Sequence, residues 1–412
     1  MVRLQIMEDK MKKSTKTKLL RTALMMTAFL IAVAGGQDVA AEEDGWRFQY
    51  KVGDGLKMGD GNNQIHLQGR VQGRFTYNAL EAAADNDTWA VQRGKIKIEG
   101  FTLEKKLKFG FQMNLATRNR ATTTAVCRDT GGTATANCPG GTANAVTTES
   151  TTGLATLEDY YVDYVPYDFF GIKIGQYKVP FLMQELTSSG KQQFVDRSLS
   201  TGHFNLARDL GVTLHGDLWD GGLNYAVFAM NGDGINTINR NQSLMAGLRL
   251  ELPILGEYKT SESDVDDSQE HNLGIGVAYA FNELGSSFVN GTVAAGTKLS
   301  LGTMDVGYKY KGFSFQGAGM IARAHDTAKA THWGYNAQAG YFIVPKHFEV
   351  ALRGAGTVFS NAIANQYEYA IALNYFIKGH GIKIQTDYGL LLNTRGLNLN
   401  DHRVRSQVQV IF

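Results

Sequence analysis

Ile65-His-Leu-Gln-Gly-Arg-Val-Gln-Gly-Arg-Phe75 alternates with a period of two: Ile65, Leu67, Val71 and Phe75 fall on one side, and His66, Gln68, Arg70, Gln72 and Arg74 on the other. The two stretches that follow repeat the pattern. Between Gln92 and Phe101, Ile96 and Ile98 oppose Arg93, Lys95, Lys97 and Glu99. After a turn at Leu103-Glu-Lys105, Leu107, Phe109, Phe111, Met113 and Leu115 oppose Lys106, Lys108, Gln112 and Asn114. One face of each strand is apolar and the other polar or ionic. A soluble sandwich would share that alternation, so length has to separate the cases. These strands run about ten residues, the span of a tilted strand crossing a bilayer, where soluble sheets usually use about five or six.

The same lettering continues to the end of the chain. Strands are predicted at 157–165, from Ile172, at 211–218, 223–230, 244–252, 273–281, 299–310, 313–324, 334–344, 348–359, 367–377, 382–392 and 403–412. About sixteen result, an even number, as expected of a single-chain outer-membrane barrel. Every second connection is short (103–105, 166–168, 219–222, 311–312, 345–347, 379–381) and most of the others are long. Aromatic residues such as Tyr164, Tyr167, Tyr308, Tyr310, Tyr341, Phe342, Tyr375 and Phe376 gather at the short-turn ends, where a membrane interface girdle would lie. Pro253 to Glu270 breaks the rhythm, being long and acidic where a short turn is expected. The predicted fold class is therefore all-β, a transmembrane antiparallel barrel occupying residues 64–412, with 42–63 as a lead-in segment.

Upstream, Met11-Lys-Lys13 to Arg21 forms a positive n-region, Thr22 to Gly36 an apolar h-region and Val39-Ala-Ala41 a small-residue cleavage site. Residues 1–41 are read as a signal peptide. Cleavage after Ala41 changes the balance from 41 basic and 39 acidic residues to 34 and 36, so the net positive charge belongs to the leader. Any attraction for anions must then come from where charges sit. Beyond the leader no run of eighteen apolar residues occurs, which excludes helical spans. The two cysteines, Cys127 and Cys138, lie eleven positions apart in a Thr/Ala/Gly-rich loop from Arg118 to about Gly153. Export to an oxidising compartment favours a disulfide between them; the other reading is two unrelated thiols, and a zinc site would need more ligands.

Between Ile174 and Leu210 the chain leaves strand pattern for about thirty residues, too many for a hairpin. Phe181, Leu182, Met183, Leu186, Phe194, Val195 and Leu199 give this stretch a composition that packs on something. It is expected to fold into the barrel over about 179–208 as a constriction loop, with Lys191, Arg197 and Arg208 its basic residues and Glu185, Asp196 and Asp209 their neighbours. The segments Gly175-Gln-Tyr-Lys-Val-Pro-Phe181, Glu185-Leu-Thr-Ser-Ser189, Phe194-Val-Asp-Arg-Ser-Leu199 and Arg208-Asp-Leu-Gly-Val212 resemble the phosphate-selective porin O and P family. Leu157-Glu-Asp-Tyr-Tyr-Val-Asp-Tyr164 adds to the likeness. The resemblance implies a sixteen-stranded, trimeric outer-membrane barrel whose third outside loop folds inward and whose basic lumen passes phosphate or related anions.

If the apolar face meets lipid, the ionic face lines the lumen, because closure offers no third environment. Arg70, Arg74, Arg93, Lys95, Lys97, Lys108 and Lys173 then point inward with His66 and Lys106, against Glu99, Asp159 and Asp163. Rings of Arg and Lys at a constriction favour anions; the opposing possibility is that they pair with carboxylates, or with lipopolysaccharide phosphates at the rim, and stiffen the wall. Catalytic patterns are thin. Ser188-Ser-Gly-Lys191 fits S-x-x-K without the companion S-D-N or K-T-G, and no H-E-x-x-H, P-loop or G-x-S-x-G occurs. Asn231-Gly-Asp-Gly234 lacks the remaining ligands of a calcium loop. No cofactor and no nucleic-acid partner is expected. The sequence thus predicts a porin for passive diffusion of small anions such as phosphate, forming a homotrimer. The alternative is a structural or adhesive surface barrel without an open pore, and a hydrolase using Ser188 ranks last.

Overall fold

The computed structural model describes residues 39–412 apart from 44, 82, 117–119, 129–133, 136–142, 151–154, 258–260, 286–287, 289–292, 328, 361–364 and 395–398. The leader up to residue 38, and Cys138 with its expected bridge to Cys127, lie outside the described residues. Three short strands come first, β1 (Val39–Glu43), β2 (Trp46–Lys51) and β3 (Gly55–Gly59). The wall begins with β4 (Gln64–Ala79), β5 (Asn86–Thr102) and β6 (Leu107–Asn114). A separate small sheet follows, formed by β7 (Arg120–Arg128), β8 (Ala134–Thr135) and β9 (Ala143–Ser150). The wall resumes with β10 (Thr156–Tyr167), β11 (Phe170–Lys178), β12 (Arg208–Leu218), β13 (Leu223–Met230), β14 (Met245–Leu255), β15 (Asn272–Glu283) and β16 (Lys298–Tyr310). It ends with β17 (Phe313–Ala324), β18 (Thr331–Val344), β19 (Phe348–Val358), β20 (Gln366–Lys378), β21 (Ile382–Leu392) and β22 (Asn400–Ile411).

Each wall strand pairs antiparallel with the next, and β22 returns to β4 with Ile411 opposite Arg70 and His402 opposite Ala79. The ring is closed with sixteen strands, as the alternation predicts. Closure satisfies every ladder hydrogen bond without an edge, which hydrocarbon surroundings require. Outward residues such as Val71, Val162, Ile174, Val227, Met304, Leu352 and Ile371 are exposed, while their inward neighbours are buried.

Two regions differ from the sequence reading. Residues 42–63 are an antiparallel meander, in which β3 pairs with the lower part of β4 (Leu56 opposite Leu67) below the point where β22 stops. The segment read as one long polar loop carries β7 to β9. Short strands rich in Gly or Thr give too weak a periodicity to stand out.

The seam between first and last wall strands is tight. Gly69 N–H donates to Phe412 O at 2.6 Å and Phe412 N–H to Gly69 O at 2.9 Å. A Cβ on Gly69 would lie 2.5 Å from the Phe412 ring, so this position needs glycine for close approach. Gly69→Val is expected to displace the terminal ring and lower the yield of heat-modifiable folded barrel several-fold, measured by gel mobility of unboiled membranes. Gly73→Val, where a Cβ meets nothing within 4 Å, is the tolerated control.

The interior is not ionic all round. On β13 to β17, Phe228, Met230, Met245, Ala280, Leu299, Leu301, Met320 and Ala322 face inward and pack on Val179, Phe181, Leu182 and Phe204. The expectation that closure leaves only lipid and water fails here because a folded segment inside the ring supplies a third, dry surrounding for wall residues. The remaining wall faces inward with buried polar groups, among them Gln338, Glu349, Arg353, Asp387 and Gln409.

Candidate functional site

The segment between β11 and β12 contains two short helices, α1 (Met183–Leu186) and α2 (Leu199–Phe204). Its backbone is bonded to inward side chains of the wall on β4, β14, β16 and β19 to β22. Arg249 donates to Phe181 O at 2.5 Å and Asp305 accepts from Met183 N at 3.2 Å. Asp387 accepts from Val195 N at 3.1 Å, Glu368 from Leu199 N at 2.7 Å, and Arg353 donates to Asp196 O at 2.9 Å. Gln193 reaches Ser314 Oγ at 2.9 Å and Glu349 Oε1 at 2.7 Å. Amides and carbonyls of the segment, including the first amides of α1 and α2, thus find partners among charged wall residues, each such bond stronger than a neutral one.

The long acidic connection between β14 and β15 meets this segment from the opposite mouth. Glu262 is buried, accepting from Gln193 N at 2.7 Å and Gln184 Nε2 at 3.1 Å, while its own N–H donates to Lys191 O at 3.0 Å. Asp264 accepts from Gly312 N at 2.9 Å. Two acids of that stretch, puzzling for a solvent-exposed turn, thus receive backbone amides, Glu262 from the inserted segment and Asp264 from the turn between β16 and β17.

Between the inserted segment and the wall of β4 to β6 and β10 to β12 lies a cavity of about 970 Å³. Its lining holds eight cationic side chains, Arg70, Arg93, Lys95, Lys97, Lys173, Lys178, Arg197 and Arg208, and two carboxylates, Glu158 and Asp159. Arg70 donates to Ser188 Oγ at 3.1 Å and Ser189 Oγ at 3.0 Å, and its buried Nε has no hydrogen-bond partner among the described residues. Lys95 pairs with Glu158, Lys97 with Glu99 at 2.5 Å, and Arg208 with Asp159 at 2.8 Å. Lys173 sits 3.6 Å from the Tyr161 ring centre and 4.6 Å from that of Tyr177. Arg197 bonds Glu185 at 2.8 Å and the carbonyls of Gln184, Glu185 and Thr187. Adding Glu99, Glu185 and Asp196 behind the lining raises the carboxylates to five against eight cations. The wall remains positive after its own pairs are counted.

Three residues singled out from the sequence sit elsewhere. Arg74 is buried behind the loop, donating to Val195 O at 2.9 Å and pairing with Asp196 at 3.2 Å. Lys108 shares the inward face by register, opposite Phe101 and Asp163, but is exposed near the short-turn end. Lys191 is exposed at the tip of the inserted segment. Lys178 was not recognisable from the pattern, because the alternation stops at the Val179-Pro180 break. It donates to the carbonyls of Glu185 at 2.6 Å, Leu186 at 3.2 Å and Thr187 at 3.1 Å, a cation closing the end of α1.

Asp196 is the electrostatic hinge of the loop. Burial raises its pKa, yet Arg93, Arg74 and Arg405 together hold the carboxyl well below the ordinary carboxylate range. Burial pushes the His203 ring on α2 down to about 4. Both groups stabilise the docked loop at neutral pH, and both contributions fade in acid. His203, depressed from an ordinary value of about 6.5, loses its share as the pH falls from there through about 4. Asp196 loses its share below the ordinary carboxylate pKa of about 4. Open-channel current noise is therefore expected to grow between pH 7 and pH 4, and His203→Gln to flatten the upper part of that rise in planar-bilayer recordings.

A lipid-facing ring enclosing a cation-lined, loop-narrowed interior defines a porin channel of the bacterial outer membrane. A profile of the phosphate-selective porin O and P family matches residues 65–412, and the chain belongs to that family. No match is found among curated protein sequences. Solved structures of similar fold include the outer membrane channel DcaP of Acinetobacter baumannii, with 13% identity and a TM-score of 0.55 over 86% of this chain and 99% of that one. An anion-selective porin from Comamonas acidovorans has 13% identity and a TM-score of 0.54 over 85% and 100%. OmpF of Salmonella typhi, in complex with daunomycin, has 12% identity and a TM-score of 0.55 over 86% and 100%. At such identities the likeness concerns the fold.

Proposed function

We propose that this porin, exported by its leader and cleaved after Ala41, passes small anions by diffusion along the cavity beside the inserted loop, phosphate among them. The observation that carries the reading is the eight-to-two excess of cations in the cavity lining, inside low-dielectric walls that strengthen their field. Arg70, Arg93, Lys178 and Arg197 also brace the loop, which leaves Lys95, Lys97 and Arg208, each paired with a carboxylate, and Lys173, resting on two tyrosine rings, as the cations a passing ion meets without disturbing it. Diffusion needs no covalent step. Ser188, the nucleophile a hydrolase would use, accepts hydrogen bonds from Arg70 at 3.1 Å and Gly190 N at 3.4 Å, and Lys191 of the same motif is exposed at the loop tip. The family and the fold class favour a homotrimer, which light scattering in detergent tests.

Planar-bilayer recording of purified protein in a potassium chloride gradient tests the channel reading. Reversal potentials toward chloride, with current reduced by added phosphate, support it. A reversal potential toward potassium overturns the anion preference, and electrical silence returns the case to a structural or adhesive surface barrel.

A further inference from the structure

Outside the lumen, the outward face of the wall is apolar or aromatic at nearly every strand position, as hydrocarbon demands. The outer end of β16 and β17 departs from this. Arg323 is exposed on the outward side of β17, between Ala322 and Ala324, which are buried at 0% and 1% exposure. Register places it opposite Ser300 on β16 and Thr331 on β18. Lys298, also outward and exposed, lies on β16 opposite Glu283 of β15. The connection after β17 adds His325, whose Nε2 bonds Ser300 Oγ at 2.8 Å, and the exposed Lys329.

The depth of Arg323 follows from strand geometry. Ten residues separate it from Phe313 at the short turn. At about 3.4 Å per residue and a tilt of about 40°, they rise roughly 26 Å, the top of an apolar band about 25 Å tall. The guanidinium therefore lies level with outer-leaflet headgroups. Just below it, Trp333, Tyr335 and Tyr279 are outward and exposed, as an interface girdle requires. Two residues further down β17 than Ile321 is Gly319, where a Cβ would meet nothing within 4 Å, flanked by Met304 and Tyr335. A cationic shelf thus stands over a shallow apolar hollow.

The carboxylates near the shelf are Glu283, which accepts from Ser243 Oγ at 2.9 Å, and Asp326, which accepts from Lys329 N at 2.8 Å. Among the described residues Arg323 forms no ion pair. Arg323, Lys298 and Lys329 outnumber those two acids. A second copy of the barrel pressed on this face would strip water from Arg323, at a cost its own neighbours do not offset. A phosphorylated lipid offsets it, giving the guanidinium a bidentate acceptor and the hollow an acyl chain.

We propose that this face docks lipopolysaccharide, the outer-leaflet lipid of this membrane, with a lipid A phosphate on Arg323 and Lys298 and an acyl chain over Gly319. Delipidated protein in detergent is titrated with lipid A, dephosphorylated lipid A and phosphatidylglycerol, and bound lipid is counted by native mass spectrometry. Wild type is expected to retain lipid A in preference to both others. Arg323→Glu combined with Lys298→Gln weakens that binding by roughly tenfold or more. Unchanged bilayer conductance of the variant shows that it is folded. Lipid A binding that is equal in the variant, or equal to that of the dephosphorylated or phosphatidylglycerol lipids, overturns the proposal. So does an oligomer that falls apart in the variant while lipid A stays bound, since the face would then hold a second copy.

Discussion

Asp196→Ala unlocks the inserted loop: conductance rises and the open state becomes noisy. The wild-type carboxylate accepts from Arg74 at 3.2 Å and from Arg93 at 3.1 Å, and both guanidiniums are buried. Deleting it leaves two cations facing each other with fewer acceptors, a loss of about 3 kcal/mol, the low end for a broken buried pair because Asp196 keeps some contact with cavity water. That is enough to raise the undocked population of the loop by about a hundredfold, since each tenfold step needs about 1.4 kcal/mol. Asp196→Asn keeps shape and one acceptor oxygen and should fall between. If single-channel conductance and noise stay at wild-type values in both variants, the loop is held by its other wall contacts and the hinge role is wrong. The barrel itself should survive, because the ring hydrogen bonds do not involve the loop.

Reversing two cavity lysines should have the second large effect. Lys95 pairs with Glu158 and Lys173 rests on two tyrosine rings, so neither ties the loop backbone. Lys95→Glu with Lys173→Glu changes the lining by four charge units. An ion about 8 Å from each site feels roughly 2 kcal/mol per unit charge at an effective dielectric of 20. Screening trims this in 0.1 M salt, where the Debye length is about 10 Å, comparable with the distance. The expected result is a shift of the chloride-to-potassium permeability ratio by at least an order of magnitude and a reversal potential of opposite sign. A ratio within twofold of wild type would show that ions take another route. The equivalent exchange of Arg70, Arg74 and Arg93 would confound selectivity with loop release, because these residues hold Ser188, Ser189 and Asp196.

What could be read from the sequence was whatever two solvents impose at every other residue. The strands at 313–324, 348–358 and 382–392 were legible almost to the residue because both neighbours of each wall strand repeat the same lettering. The destination of Glu262 was not legible: an acidic connection looks the same whether it meets water or the backbone of an inserted loop. Nor were Phe228, Met230 and Leu301 recognisable as inward residues of a dry contact, since apolar letters on a membrane strand are assigned to lipid by default. Among the basic residues, sequence showed which face Arg74 and Arg93 occupy but not that Asp196, more than a hundred positions away, would claim both. Lys178 shows the converse limit, a cavity residue at the position where periodicity ends.

The seam at Gly69 and Phe412 sets the order of assembly. The wall strand made first must wait, one side unoccupied, for the final residues of the chain, more than three hundred positions downstream. Contacts of such sequence separation form slowly, and an unpaired strand flank invites wrong partners in the meantime. The β3 meander shields only the lower part of that flank, so the upper part of β4 is where a holding chaperone would be needed during transit, and where truncated chains lacking the last dozen residues should aggregate.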